Sequence, residues 1–253
     1  MKALLRALDA ERLKLKGTLA AWTCVVAPAT VVVLYVLQLA VSRIPPGHVA
    51  DPTLAWMRFS QSVFALWLFL MLPLLITLQA ALLAGLEHAD RHWKHLMALP
   101  APRDVHYLAK LLMLAGMVLA SFAVLLALLP LGGLVLMYIK PAFGLAGAPD
   151  AGWMLRSAGM AFAASLLMVA LHAWVSIRWR RFTVAVSVGM GATVAGFLIG
   201  QSDRFGHWYP WSMPMQVLAG NGEHAAFVVA VGLLGGLAVA LLGLADFRRR
   251  EFD

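Results

Sequence analysis

Residues 108–136 read LAKLLMLAGMVLASFAVLLALLPLGGLVL, and this stretch decides the fold class. It exceeds the roughly 20 apolar residues that a helix needs to cross a hydrocarbon core of about 30 Å. A helix satisfies its own backbone hydrogen bonds inside lipid, which an open strand cannot do. The stretch therefore predicts a membrane-spanning helix. Pro130, followed by Gly132 and Gly133, predicts a kink or a break near its far end.

Five other stretches have the same character. The six predicted spans lie at about 19–41, 63–85, 108–136, 154–177, 183–201 and 225–245. The whole chain of 253 residues is 62% hydrophobic and only 13% charged, with a mean hydropathy of +0.83. A soluble domain is about half apolar and about a quarter charged. The sequence thus predicts an all-α, polytopic membrane protein with one transmembrane domain over residues 1–253.

The basic residues are divided unequally between the two sides of these spans. Fifteen of the 20 Lys and Arg residues fall in the N-terminus, the 86–110 loop, the 178–182 turn and the C-terminus. The other five are Arg43, Arg58, Lys140, Arg156 and Arg204. The positive-inside rule then predicts that both termini are cytoplasmic. Because topology accounts for the net charge of +8, no nucleic-acid partner is expected.

The first 18 residues carry seven charges and no continuous apolar core, so they do not have the pattern of a signal peptide. Leu4, Leu8 and Leu15 fall on one stripe of a helix, with basic residues elsewhere. This pattern favours an interfacial helix with its apolar side in the membrane. The single cysteine, Cys24, excludes a disulfide within the chain.

Polar side chains within the spans are few. Gln38, Gln79 and His172 are the main ones, and an ionisable group inside the membrane is a functional candidate. We interpret them, with Trp208 and Trp211 of an aromatic and Pro-rich outer segment at 202–224, as a possible substrate path. For His172 we favour an interhelical contact over a proton relay. A proton-coupled carrier usually needs a buried Asp, Glu or Lys, and no span interior of this sequence holds one. The GxxxG pairs Gly196/Gly200 and Gly232/Gly236 predict close helix packing.

Residues 86–104, LEHADRHWKHLMALPAPRD, interrupt the apolar spans with a dense run of charge. Leu86, Ala89, Trp93 and Leu96 recur at helical spacing, which predicts a short amphipathic helix that docks in a groove of a partner. The alternative is a metal site at His88, His92 and His95, which could share one face. Docking is favoured, and no metal is predicted, because no pattern of supporting hydrogen-bond partners accompanies the histidines.

The motifs of several enzyme classes are missing from the sequence. It contains no GxxxxGK[ST] phosphate loop, no HExxH and no GxSxG elbow. We therefore predict that the chain is not an enzyme and holds no cofactor. Its expected role is a path or a surface in the membrane, with the energy supplied elsewhere.

The loop before the third span resembles the first cytoplasmic loop of ABC-2 type permeases, in particular those of lantibiotic-immunity and bacitracin-type exporters. AERLKLKGTLAAW near the N-terminus and HWYPWSMP at 207–214 are similar to the opening and the outer segment of that family. The matching residues of the loop are Glu87, Trp93, Lys94, Leu96, Leu99, Pro100, Arg103, Tyr107, Ala109 and Lys110.

This resemblance implies a half-transporter in a bacterial cytoplasmic (inner) membrane. Two permease subunits, identical or different, would work with two ABC ATPase subunits that hold the ATP and magnesium. The 86–104 segment would be the coupling segment that the ATPase grips, and the exported substrate would be amphipathic, peptide-like or lipid-linked. The alternatives are an ATP-independent secondary carrier and a non-transporting assembly protein. The implied coupling residues are Glu87, Trp93, Lys94, Leu96, Leu99, Pro100, Arg103 and Lys110.

Overall fold

The computed structural model describes residues 2–43, 51–89, 102–179 and 181–249. Every regular element in these ranges is helical, and six helical segments are long and apolar enough to cross a membrane. The predicted all-α fold with six spans is confirmed.

The helices are named in chain order. The N-terminal helix α1 covers Lys2–Leu15, and the first span, α2, covers Leu19–Val41. The second span consists of α3 (Pro52–Leu66) and α4 (Leu72–Ala89), joined by a π-helical turn at Trp67–Met71. The remaining spans are α5 (Arg103–Ile139), α6 (Ala151–Arg178), α7 (Phe182–Ile199) and α9 (Ala225–Arg249). A single turn, α8 (Met213–Gln216), lies between the last two spans.

The second span begins at Pro52 and not at the predicted residue 63. The Asp51 carboxylate accepts a hydrogen bond from the backbone N–H of Thr53 at 2.9 Å, and Pro52 occupies the first helical position, where its missing N–H is harmless. Arg58 and Gln61 lower the hydropathy of α3 and conceal it from a search for apolar runs. The α3–α4 segment is nevertheless the most buried span, with 61% of its apolar window inside the protein against 22% for α7 and for α9. It therefore lies at the centre of the bundle.

Aromatic side chains from three helices form the middle of the core. Trp67 and Phe122 are fully buried and meet edge to face, with ring centroids 5.8 Å apart. Phe122 makes a similar contact with Phe162 of α6 at 6.2 Å. Such edge-to-face pairs stabilise a core beyond their buried area. They fix α5 against the π-helical turn on one side and against α6 on the other.

Of the kink or break predicted near Pro130, the break is wrong, because α5 continues to Ile139. Gly132 and Gly133 serve close packing instead. A Cβ atom on Gly132 would lie 2.5 Å from Val32 Cγ1, and one on Gly133 would lie 2.1 Å from the Trp56 ring. The two glycines make room for side chains of α2 and α3 against an unbroken helix.

The two GxxxG pairs behave differently. A Cβ on Gly232 would lie 2.3 Å from the carbonyl oxygen of Ala163, so α9 packs backbone to backbone against α6, as the spacing predicts. Gly236 faces the Leu166 backbone in the same way. Gly196 and Gly200 instead face the segment that follows α7, against Trp211 and Ser212. Their close partner is a loop and not a helix.

The apolar stripe of α1 faces the protein, which corrects the interpretation that it faces lipid. The stripe passes through Leu4, Leu8 and Leu15 and includes Glu11, whose burial was not foreseen. The helix packs against α5. On its outer side Leu5 and Leu13 are 59% and 72% exposed, so some apolar surface remains for a membrane.

Both termini lie at one end of the bundle. Glu11 of α1 pairs with Lys110 near the start of α5, and Arg248 near the end of α9 pairs with Asp104, which precedes Lys110 in α5. We call this the terminal end. The opposite end, where α2, α5 and α7 finish, is the distal end.

Candidate functional site

The predicted coupling segment connects α4 and α5 at the terminal end of the bundle. Glu87 lies in the last turn of α4 and Arg103 is the first residue of α5, so the segment leaves and re-enters the bundle beside α1 and α9. Lys110 lies further along α5. The other predicted coupling residues, Trp93, Lys94, Leu96, Leu99 and Pro100, lie outside the described residues, as do His92 and His95.

A buried ion pair joins three helices at this end. The Lys110 ammonium donates to Glu11 Oε2 at 3.1 Å and to the carbonyl oxygen of Leu83 at 3.4 Å. The other Glu11 oxygen accepts from Lys14 at 2.9 Å. Lys110 and Glu11 are 2% and 6% exposed. The pair therefore fastens α1 to α4 and α5 within two turns of the coupling segment.

Lys110 was expected to face the ATPase, and the structure places its side chain inside the bundle. Its neighbours in the loop motif, Tyr107 and Ala109, are also buried, at 0% and 1% exposure. The sequence predicts no Asp, Glu or Lys in a span interior. Lys110 is nevertheless buried near the start of the third span, where Glu11 covers it. The missed signal was the position of Glu11 between Leu8 and Leu15 on one helical stripe.

A second, more exposed set of charges ties the end of α9 to its neighbours. Arg248 forms a forked ion pair with Asp104, its Nε donating to Oδ1 at 2.6 Å and its Nη2 to Oδ2. Asp246 accepts from the Trp174 indole N–H at 3.1 Å and lies 3.6 Å from Arg178 Nε. The ends of α5, α6 and α9 are thereby linked around the terminal end.

A polar cluster lies inside the bundle, between α4, α6 and α7. His172 of α6 is 1% exposed. Its Nε2 lies 3.3 Å from Thr77 Oγ1 of α4 and accepts the indole N–H of Trp211 at 3.2 Å. Gly189 of α7 closes the remaining side, because a Cβ there would lie 2.3 Å from Thr77 and 2.7 Å from the His172 ring.

Trp211 reaches His172 because the segment after α7 folds back into the bundle. The Tyr209 hydroxyl donates to the carbonyl oxygen of Ala192 at 3.0 Å, and Gln216 Nε2 donates to that of Gly200 at 3.2 Å. Burial raises the pKa of the Tyr209 phenol above its ordinary value. We call residues 201–218 the inserted segment. Of its two tryptophans, Trp208, which is 61% exposed, fits the expectation of a segment lying at the outer interface, whereas Trp211 does not.

The other predicted path residues do not join this cluster. Gln79 is fully buried, but its amide nitrogen donates across to α2, to Thr23 Oγ1 at 3.2 Å and Cys24 Sγ at 3.4 Å. Thr77 and Gln79 therefore lie on opposite faces of α4. Gln38 is exposed near the distal end of α2. Of the five predicted path residues, the structure brings together only His172 and Trp211.

The hydrogen bond between Trp211 and His172 also fixes what the cluster can do. An indole N–H only donates, so Nε2 of His172 must act as an acceptor in this arrangement. A proton on that nitrogen would face the indole hydrogen and displace Trp211. The arrangement thus holds the inserted segment in place between α4, α6 and α7, and a passage through this region requires Trp211 to move.

The family of the chain follows from one further comparison. The family model described as ABC-2 family transporter protein matches residues 7–196, about three quarters of the sequence. The chain belongs to the ABC-2 transporter family. No curated protein and no solved structure matches it.

Membership makes the chain the membrane component of an ABC transporter, which is not a catalytic enzyme by itself. The matched region runs from α1 into α7 and so includes both the buried ion pair and the coupling segment. The inserted segment and α9 follow it. The ABC-2 match thus covers Glu11, Lys110 and His172, whereas Trp211 and the α9 residues Asp246 and Arg248 lie beyond the matched residues.

Proposed function

We propose that this chain is the permease subunit of an ATP-driven ABC exporter in a bacterial cytoplasmic membrane, of the lantibiotic-immunity and bacitracin type. It works as a pair with a second permease subunit, identical or different, and with ABC ATPase subunits that hold the ATP and magnesium. Its substrate is an amphipathic, peptide-like or lipid-linked molecule taken from the membrane. Lipids surround the apolar faces of α7 and α9.

The observation that carries the proposal is the arrangement of joints around the coupling segment in a chain of the ABC-2 family. The segment connects α4 to α5, and the Lys110 contacts tie both of these helices to α1. A push on the segment is therefore passed to three helices at once. Family membership favours this mechanism over an ATP-independent carrier.

The other half of the proposal concerns His172 and Trp211. ATP-driven movement of α4 displaces Thr77 relative to α6, which changes the surroundings of the His172 ring. Trp211 then withdraws or stays, and the inserted segment opens or closes the passage. In this role His172 is a latch for the segment and does not relay protons.

The test uses the full chain co-expressed with its candidate ABC ATPase subunit. Trp93→Ala removes the aromatic anchor of the predicted coupling helix, and loss of such an anchor commonly costs about 2 kcal/mol or more of binding. We expect less ATPase to co-purify and substrate-stimulated ATP hydrolysis to fall, with membrane insertion unchanged. The purified chain without the ATPase should hydrolyse no ATP.

The matched control replaces His88, His92 and His95 together with glutamine. This triple variant should retain ATPase binding, and chelators should act only through the magnesium that ATP requires. If the triple variant lost ATPase binding while Trp93→Ala kept it, a metal-sensing or proton-sensing loop would replace the coupling helix. ATP hydrolysis by the pure chain would contradict the proposal that separate ATPase subunits hold the ATP.

A further inference from the structure

A separate cleft opens at the distal end, between the start of α3 and the loop that leads into α6. Its volume is about 360 Å³, within the range of small-molecule sites. Its lining is mainly aromatic and apolar with a few polar groups, and no basic residue is among the described residues that line it. The side chains that matter are Thr53, Trp56, Met57, Ser60, Asp150 and Trp153.

One wall of this distal cleft is rigid. Trp56 is 4% exposed, and its indole N–H donates to the carbonyl oxygen of Ala146 at 3.1 Å. Its ring fills the slot left by Gly133 and meets the Phe59 ring edge to face at 6.0 Å. The ring is therefore held in position before any ligand arrives, which lowers the entropic cost of binding.

The second wall comes from the first turn of α6. The Trp153 ring packs edge to face on Phe64 at 5.6 Å, and its backbone N–H donates to Asp150 Oδ1 at 2.9 Å. Asp150 thus caps α6 and fixes the start of the helix that carries Trp153. The two indoles come from different helices and line the same cleft.

The charge in the distal cleft selects the kind of ligand. Asp150 is exposed and is the single charged side chain among the described residues that line the cleft. Ser60 contributes a hydroxyl-bearing side chain that is 3% exposed. Aromatic faces attract cations, and most strongly tryptophan faces. The helix N-terminus itself would favour an anion, but the Asp150 carboxylate already occupies it. A cation with an apolar body fits this combination.

We propose that the distal cleft binds organic ammonium ions, with the apolar body against the tryptophan walls and the cationic head beside Asp150. This assigns the chain a ligand site at the end opposite the coupling segment. The site goes beyond the proposed export function, because binding here needs neither the ATPase nor a second permease subunit.

The experiment measures binding to the purified full chain in lipid nanodiscs by isothermal titration calorimetry. The probe is benzyltrimethylammonium, and benzoate is the aromatic anion for comparison. Asp150→Asn removes the charge but keeps a good helix cap, and it should weaken binding of the cation about fivefold or more, since the cationic head loses the carboxylate beside it. Benzoate should bind neither protein.

The matched control is Asp51→Asn. Asp51 caps α3 just as Asp150 caps α6, but it does not line the cleft. It should leave the affinity for the cation within about twofold, as expected of a surface charge in salt. If Asp150→Asn fails to fold, as judged by gel filtration, Asp150→Ser replaces it, because serine caps helices equally well. Absence of saturable binding, equal binding of benzoate, or equal losses in both variants would overturn the proposal.

Discussion

The terminal and distal ends of the bundle are held by different kinds of contact. At the terminal end, charged side chains of different helices pair with each other, as in Glu11 with Lys110 and Asp104 with Arg248. At the distal end, side chains donate hydrogen bonds to backbone carbonyl oxygens. Lys140 donates to the last carbonyl oxygens of α2, at 2.6 Å for Leu39 and 3.3 Å for Ala40.

The same distinction holds for the aromatic residues. Trp56 and Tyr209 each donate to a backbone carbonyl oxygen, of Ala146 and Ala192. Contacts of this type stabilise one helix end or one loop at a time. Charge pairs between helices instead make α1, α4, α5 and α9 respond together. The difference fits the proposed mechanism, in which the ATPase acts at the terminal end and the inserted segment opens or closes the passage.

The largest effect is expected at the buried pair. Lys110→Met leaves the Glu11 carboxylate buried beside the partly exposed Lys14. Removing one partner of a buried ion pair typically costs about 3–5 kcal/mol. The free energy of unfolding of the detergent-solubilised chain should fall by about this amount, measured by denaturant titration.

The control for this prediction is the double variant Glu11→Leu/Lys110→Met. Replacing a whole buried pair by apolar residues is often neutral, so most of the lost stability should return. Lower stability of the double variant than of Lys110→Met would show that the pair does not act as a unit. The joint between α1 and α5 would then rest on apolar packing.

A smaller effect is expected at the inserted segment. Trp211→Ala removes the donor to His172 and the ring that meets the His172 ring edge to face at 5.5 Å. We expect a loss of about 2–3 kcal/mol, below that of a fully buried tryptophan. Trp208→Ala should change stability by less than about 0.5 kcal/mol, because its side chain is exposed. Trp211→Phe keeps an aromatic ring and isolates the hydrogen bond. Equal losses for Trp208→Ala and Trp211→Ala would contradict the inserted position of Trp211.

The glycines of α5 allow a sharper test of the distal end. A methyl group on Gly133 would collide with the Trp56 ring, so Gly133→Ala should cost about 1–2 kcal/mol by overpacking. Gly116 on the same helix has nothing within 4 Å of its Cβ position. Gly116→Ala should therefore leave stability unchanged or raise it by up to about 1 kcal/mol. Thermal unfolding of the two variants measures this difference in stability. Equal changes in the unfolding midpoint would contradict the tight fit of Trp56.

The smallest effect is expected for the exposed ion pair. Arg248→Gln removes the forked contact with Asp104, but water and salt screen such a pair. The unfolding midpoint should fall slightly at low ionic strength and not at all in about 1 M salt. A loss that persists at high salt would place this pair in the same class as Glu11 and Lys110.

The sequence predicted the spans well, because hydropathy and length alone identify a membrane helix. It failed at Pro52–Leu66, where Arg58 and Gln61 dilute an amphipathic first half of a span. It also allowed a break after Pro130, where the neighbouring glycines instead serve close packing. Glycine spacing cannot tell which partner approaches, so Gly196 and Gly200 were assigned to a helix and not to a loop.

The candidate site was predictable only in part. His172 was identified because a histidine inside an apolar run is conspicuous, and Trp211 because it stands among prolines. Their contact depends on how residues 201–218 fold back, which no local pattern encodes. Glu11 was overlooked because a charged residue in a polar N-terminal helix is expected to face solvent. Its burial results from the packing of α1 against α5. The coupling residues Trp93, Lys94, Leu96, Leu99 and Pro100 remain predictions.

The central claim is that the terminal end faces the compartment of the ATPase, and the single cysteine makes it directly measurable. In a Cys24→Ser background, one new cysteine is placed at Asp9 of α1 or at Asp203 of the inserted segment, both exposed positions. A membrane-impermeant maleimide is then added to intact spheroplasts. The account predicts that Asp203→Cys is labelled at once, whereas Asp9→Cys is labelled only after permeabilisation. The reverse pattern, or immediate labelling of both, would contradict it.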